Sequence, residues 1–294
     1  MKFNNGKELL DLCSKENLMI SDIMIKLEMN NYNKTEDEVF AQMHKSFIIM
    51  KNAVHKSLTE DIKSMGGLIG GEAKKLIKQI ENNKNISGLT TSKAMAYAMG
   101  VLEVNASMGL IVAAPTAGSC GIIPGVLTAI QEAHGFTDEQ MTKALFTAAG
   151  IGMVVTMNAT VAGAEGGCQA ETGSAAAMAS AAVCELMGGT PKQCLDAAAI
   201  CIKNIMGLIC DPIAGLVEAP CQKRNAIGAT NSLISAEMTL AGIDSIIPFD
   251  EVVESMYKVG RSMPVELRET ALGGVAATAT GCTLCSKIFN LKIY

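Results

Sequence analysis

Apolar positions along this chain recur at helical rather than alternating spacing. In KELLDLCSKE, residues 7–16, Leu9, Leu12 and Cys13 form one stripe. After an Asn-rich break at residues 30–33, TEDEVFAQMHKSFIIMKNAVHKSLTEDI carries a longer amphipathic pattern. It opens with Thr35 and Glu38 in the form of a capping box. Paired glycines in SMGGLIGG, residues 64–71, precede a short helix with Ala73, Leu76, Ile77 and Ile80 as its apolar positions, and residues 82–91 read as a surface linker. From Ser92 the chain turns rich in Ala, Gly and Met. Helices are expected near residues 93–113, 122–133, 138–157, 169–187, 191–209, 224–239 and 250–260. Thr190-Pro191 marks a helix start, a capping residue followed by proline at the first helical position. Asp211-Pro212 marks a break. The expected fold is all-α or predominantly α. It has an N-terminal helical and Gly-rich region over residues 1–91 and a helical core over residues 92–294, packed as one domain.

Composition sharpens this picture. Of 294 residues, 49% are hydrophobic, yet there is no Trp and only 4 Tyr and 7 Phe. The core must therefore be built from small and aliphatic side chains with flexible methionines, which suits closely approached helices and not a β-sandwich. A net charge of -5 with scattered Lys and Arg gives little electrostatic support for nucleic-acid binding. Two uncharged runs, residues 104–131 and 144–164, exceed a membrane-spanning length. The first is broken by Pro115, Gly118, Gly121, Pro124 and Gly125, and neither is flanked by Trp or Tyr, so buried helices are expected. Glu8 and Asp11 interrupt any signal-like apolar run, and a cytoplasmic address is the default. In that compartment ten cysteines are reduced thiols, not a disulfide framework.

Those cysteines divide into groups. Cys13, Cys184, Cys194 and Cys201 sit on apolar helical stretches and read as core residues. Cys168 follows two glycines at the start of a small-residue helix, a place that lowers a thiol pKa. Cys210 stands where a helix ends before Pro212, and Cys221 stands beside Pro220 just ahead of a helix. All three mark element boundaries, but gaps of this length match no compact zinc or ferredoxin pattern. They are either three ligands of one cluster or unconnected thiols. The glycines of SMGGLIGG are likewise either an anion cradle at a helix start or a tight turn between helices.

Four blocks narrow these alternatives: APTAGSCGIIPG at residues 114–125, EGGCQAETGSA at 165–175, CDPIAGLVEAPCQKRNAIGATN at 210–231 and LRETALGGVAAT at 267–278. In them the chain resembles the iron–sulfur-dependent L-serine dehydratase family, alpha subunit. The resemblance implies that Cys168, Cys210 and Cys221 ligate a [4Fe–4S] cluster. It implies an L-serine ammonia-lyase activity without pyridoxal phosphate, and a substrate pocket that includes Gly66, Gly67, Gly70 and Gly71. Many such relatives carry a further domain with a serine-rich, histidine-bearing segment, which His44, His55 and His134 do not reproduce. A separate beta subunit is therefore expected. Some relatives place a terminal cysteine over the open iron, a role for which Cys282 and Cys285 are candidates.

The chemistry asks for a Lewis acid at the serine hydroxyl, a base for the α-proton and cations for the carboxylate. Lys223 and Arg224 are candidates for the last, although Arg224 reads equally as an anchor for the helix that begins there. Glu165 and Glu171 flank Cys168 at three residues on either side. Thr116, Ser119 and Asn158 are polar in apolar settings and serve either substrate and cluster or local caps. No residue is marked as the base. The rival readings are a related L-cysteine desulfidase and a non-catalytic metal-binding protein.

Overall fold

A computed structural model describes residues 2–290. They form thirteen α-helices joined by loops and short 3-10 turns. Among the described residues, the only β-type pairing is an isolated bridge between Cys210 and Arg268. The helical expectation holds, and the start signals in particular hold. α1 (Gly6–Glu16) and α2 (Ile20–Tyr32) lead to α3 (Glu36–Thr59), which Thr35 and Glu38 open with a reciprocal capping box. The Asn-rich break is where α2 stops, with Asn33 left-handed at φ 51. α4 (Glu72–Glu81) follows the paired glycines, and α5 (Leu89–Ala106) begins the apolar core.

α6 (Ile122–His134) lies against α5 so closely that a Cβ at Gly125 would come within 2.6 Å of the Ala98 backbone nitrogen. α7 (Asp138–Asn158) and the single turn α8 (Gly163–Gly166) lead into α9 (Cys168–Leu186). α9 is the axis of the fold, with α6, α7, α10 (Pro191–Asn204), α11 (Cys221–Leu240) and α12 (Phe249–Ser262) around it. Its alanines are fully buried, so neighbouring backbones approach closely, and Ser232 Oγ of α11 donates to Ala176 O at 3.0 Å. α2 packs on α7, and α3 packs on both α5 and α7. One apolar cluster runs from Phe3 to Met256, through both the N-terminal and the Ala-rich stretches. α13 (Ala279–Ile288) rests on the 213–215 turn.

Some boundaries differ from the expected ones. The helix expected over 93–113 ends at Ala106, because Met108 turns left-handed at φ 64 and the chain then runs without helix to Thr116. The helix expected to reach 209 ends at Asn204, which frees the approach to Cys210. α11 starts three residues early, at Cys221 itself. Among the described residues no helix is long and apolar enough to cross a membrane.

Candidate functional site

Four loops meet around the start of α9: residues 107–121, 159–167, 205–220 and 263–278. Hydrogen bonds from buried side chains set their positions. Gln169, fully buried, donates to Gly166 O and Met256 O at 2.9 Å each and accepts from Gly207 N at 2.8 Å. Asn225 on α11 accepts from Gly121 N at 3.0 Å and donates to Gly118 O at 2.8 Å. Cys210 is clasped on both sides by the 267–269 backbone, its N–H donating to Leu267 O at 2.8 Å and its carbonyl accepting from Glu269 N at 2.7 Å.

This scaffold brings the three boundary cysteines together. Cys168 is the first residue of α9, Cys221 the first of α11, and Cys210 pairs with Arg268 in the isolated bridge. They are 4%, 7% and 2% exposed. Burial drives the Cys210 thiol far above its ordinary pKa, and negative charge on Cys168, Glu171, Glu269 and Cys221 drives it further. Cys221 is pushed up to about 12, first by burial and then by Cys168 and Glu171. Charge on Cys168 thus reaches both other thiols, and charge on Cys221 reaches Cys210.

The thiol of Cys168 was expected to be lowered by its helix start, and it is raised. Desolvation outweighs the favourable Arg224 charge and the Thr172 hydroxyl, which lies 3.1 Å from Cys168 Sγ. Glu171 faces the same neighbourhood, with Thr116 Oγ1 donating to its Oε1 at 2.8 Å and Ser119 Oγ 3.1 Å from that hydroxyl. Burial lifts the Glu171 carboxyl to about 7, against the Thr116 hydrogen bond and with the help of Glu269.

The other candidates separate. Arg224 is an anchor: Nη1 donates to Ile209 O at 2.8 Å and Nη2 to Asp211 Oδ1 at 2.7 Å, bracing the Cys210 turn. Lys223 is exposed, its ammonium on Gln222 Oε1 at 2.7 Å. Asn158 is exposed, and its amide donates to Asn4 O at 2.7 Å and to Val154 O at 2.8 Å. Cys282 is exposed and Cys285 half-buried, on the α13 helix that rests against the turn between Cys210 and Cys221. Cys13, Cys184, Cys194 and Cys201 are core thiols as expected, and so is Cys120, which nothing in the sequence had sorted.

The glycine-rich turn is an anion cradle, but the anion belongs to the protein. Glu218, 2% exposed, accepts from Gly66 N at 2.6 Å, Leu68 N at 2.9 Å and Ser64 Oγ at 2.6 Å. Glu103, 1% exposed, accepts from Gly71 N at 3.0 Å and Ala73 N at 3.1 Å. Gly70 N donates to Glu72 Oε2, and Gly67 N to Ser64 O. All four glycine amides expected to meet substrate are therefore spent internally. Sequence reasoning missed both carboxylates. Glu103, the one charged residue in AMGVLEVNA, carried a usable signal, since a buried carboxylate must find donors. Arg268, across the bridge from Cys210, has its Nε buried without a hydrogen-bond partner among the described residues.

The three cysteines lie buried where the loops of an all-helical fold meet, beside Glu171 and Glu269. Comparison with known proteins gives the family. A family model described as serine dehydratase alpha chain matches residues 15–276, and the chain belongs to that family. It is 52% identical over 288 residues to the probable L-serine dehydratase, alpha chain, of Bacillus subtilis, covering 98% of this chain and 96% of the relative. It is 48% identical over 278 residues to the L-serine dehydratase, alpha chain, of Peptoniphilus asaccharolyticus, covering 95% of each. With the L-serine dehydratase of Streptomyces coelicolor it shares 36% over 283 residues, 95% of this chain but 62% of that longer one.

Proposed function

We propose that this chain is the alpha subunit of an iron–sulfur L-serine dehydratase, a lyase that converts L-serine to pyruvate and ammonia. The observation that carries the reading is the convergence of Cys168, Cys210 and Cys221, buried and with thiol pKa values raised, in a chain with near-full-length relatives of that name.

The donor set fits a cluster. Among the described residues no three His, Cys, Asp or Glu side chains are arranged to hold a single metal ion. One ion needs all its ligands within about 2.3 Å of a point, whereas a [4Fe–4S] cluster spreads its thiolates over separate irons. Burial favours the neutral form of all three thiols, so their ionisation as ligands would need a positively charged body among them. Three cysteines leave one iron open, and that iron would supply a Lewis acid for the serine hydroxyl.

The chain's own residues shape the rest. Arg224 and Asp211 hold the Cys210 turn, and Gln169 and Asn225 fix the first turns of α9 and α11. With Arg224 engaged and Lys223 outside, we assign the substrate carboxylate to Arg268, and Gly66, Gly67, Gly70 and Gly71 to the pocket wall. Loss of the α-proton and the hydroxyl gives aminoacrylate, which tautomerises and takes up water to yield pyruvate and ammonia. The base comes from a separate beta subunit. The histidines here lie elsewhere: His44 pairs with Thr142 Oγ1 at 2.9 Å, His134 lies beside Phe136, and His55 is on α3.

Pyruvate formation from L-serine by anaerobically reconstituted protein, alone and with the beta subunit, tests the reading. Turnover only in the pair is expected. Full turnover by this chain alone would remove the beta subunit from the mechanism, and none in either preparation would remove the serine reading.

A further inference from the structure

Glu218 does two things at once. Its backbone carbonyl accepts the Gln222 N–H at 3.0 Å, closing the first turn of the helix that starts with Cys221. Its carboxylate takes three donors from the glycine-rich turn, Ser64 Oγ, Gly66 N and Leu68 N, all within 2.9 Å. The contact is tight: a Cβ on Gly66 would fall 2.5 Å from Leu216 Cδ1 and 2.9 Å from Glu218 Oε1. Ser64 relays the hold, since its hydroxyl oxygen accepts from Ile69 N at 3.2 Å and its N–H donates to Ile69 O at 3.1 Å. A second tie fixes the far end of the turn, where Gln222 Nε2 donates to Glu103 Oε1 at 2.8 Å and to Glu72 Oε2 at 3.2 Å. Residues 64–73 are thus joined at both ends to the five residues that end in Cys221 and Gln222.

We infer that Glu218 is a positioning residue that couples the glycine-rich turn to the Cys221 helix start and so sets the substrate pocket against the cysteine site. The inference rests on the serine dehydratase reading and deepens it. Both carboxylate oxygens of Glu218 are engaged by the turn, so it acts through that turn. Its carboxylate is built into the cradle, so the turn is held by the same segment that carries Cys221, and a shift of one moves the other. Closely placed donors around a buried carboxylate make this a rigid link, since the backbone amides of Gly66 and Leu68 would otherwise be left without an acceptor.

The test compares Glu218→Gln and Ser64→Ala with the parent protein, as anaerobic holoenzyme with the beta subunit. Three quantities are read: hydrogen exchange at residues 64–69, iron per chain, and KM and kcat for L-serine. Gln keeps the shape but offers one accepting oxygen where Glu offers two. For Glu218→Gln, exchange of the turn should rise about tenfold or more while the amides held by Glu103 stay protected. Iron per chain should stay at the parent level, and KM should rise about tenfold with kcat within about threefold. Ser64→Ala should show the same pattern more weakly, and the double variant should be no worse than Glu218→Gln alone, because both act through one link. Parent-like exchange and KM in Glu218→Gln would overturn the inference. So would a loss of iron and kcat at unchanged KM, which would make Glu218 only a brace for the cysteine loop. Should Glu218→Gln not fold, Ser64→Ala decides by the same criteria. If the parent holoenzyme makes no pyruvate, the serine reading fails, and loop exchange still judges the link.

Discussion

Replacing Arg224 with alanine probes the bracing of the cysteine site without replacing a cysteine. The substitution removes two hydrogen bonds, to Ile209 O at 2.8 Å and to Asp211 Oδ1 at 2.7 Å. The two side chains are 11% and 1% exposed, so water cannot replace the guanidinium at Asp211. Deleting one partner of a buried pair leaves the other uncompensated, at a cost of about 3–5 kcal/mol. Val275 N–H still donates to the second oxygen of Asp211 at 2.7 Å, which places the expected loss near the lower end, about 3 kcal/mol. Arg224→Lys keeps the charge but cannot span both acceptors with one compact ammonium, and should fall between, at about 1–2 kcal/mol. The assay is anaerobic urea denaturation followed by helical circular dichroism, with slopes compared to confirm that only the midpoint moves. A loss below about 0.5 kcal/mol for Arg224→Ala would refute the reasoning, because that is the range of an ordinary surface change.

Gly274→Ala should destabilise the same corner by about 1–3 kcal/mol, since Gly274 is left-handed at φ 60 and an added methyl would come within 2.6 Å of Asp211 Cβ; a thermal midpoint equal to the parent's would contradict this. Burial raises the Glu185 carboxyl above the ordinary carboxylate range, and its Oε2 has no hydrogen-bond partner among the described residues. A raised folded-state pKa contributes stability at acid pH that is lost as pH rises through it, so the parent should weaken as pH climbs above the ordinary glutamate range. Glu185→Gln should flatten that slope; an unchanged slope would show that other groups set it.

Helix starts were legible because capping is local chemistry: Thr35 with Glu38 and Thr190 with Pro191 act within one turn. Helix ends were less so. Residues 109–113 are as apolar as the helix before them, and only the left-handed turn at Met108 stops it, a conformation with no mark in composition. α13 escaped notice because its short, half-exposed run has almost no apolar face to read. For the site, the boundary placement of Cys168, Cys210 and Cys221 was visible, and family resemblance joined them. The partners of the glycine-rich turn were not visible. Glu218 lies about 150 residues from Gly66, and nothing local tells an acidic residue that caps a distant loop from one on the surface. Arg224 likewise showed its charge but not its acceptors, so anchor and substrate ligand stayed equal until Ile209 and Asp211 were placed.

Iron and sulfide content after anaerobic reconstitution, measured across single Cys→Ser variants, tests the central claim most directly. The parent should hold about four irons and four sulfides per chain with a broad visible charge-transfer band. Cys168→Ser, Cys210→Ser and Cys221→Ser should each lose most of that content and band, while Cys194→Ser and Cys201→Ser, in the apolar core, should keep it. Equal retention or equal loss at all five positions would contradict the account.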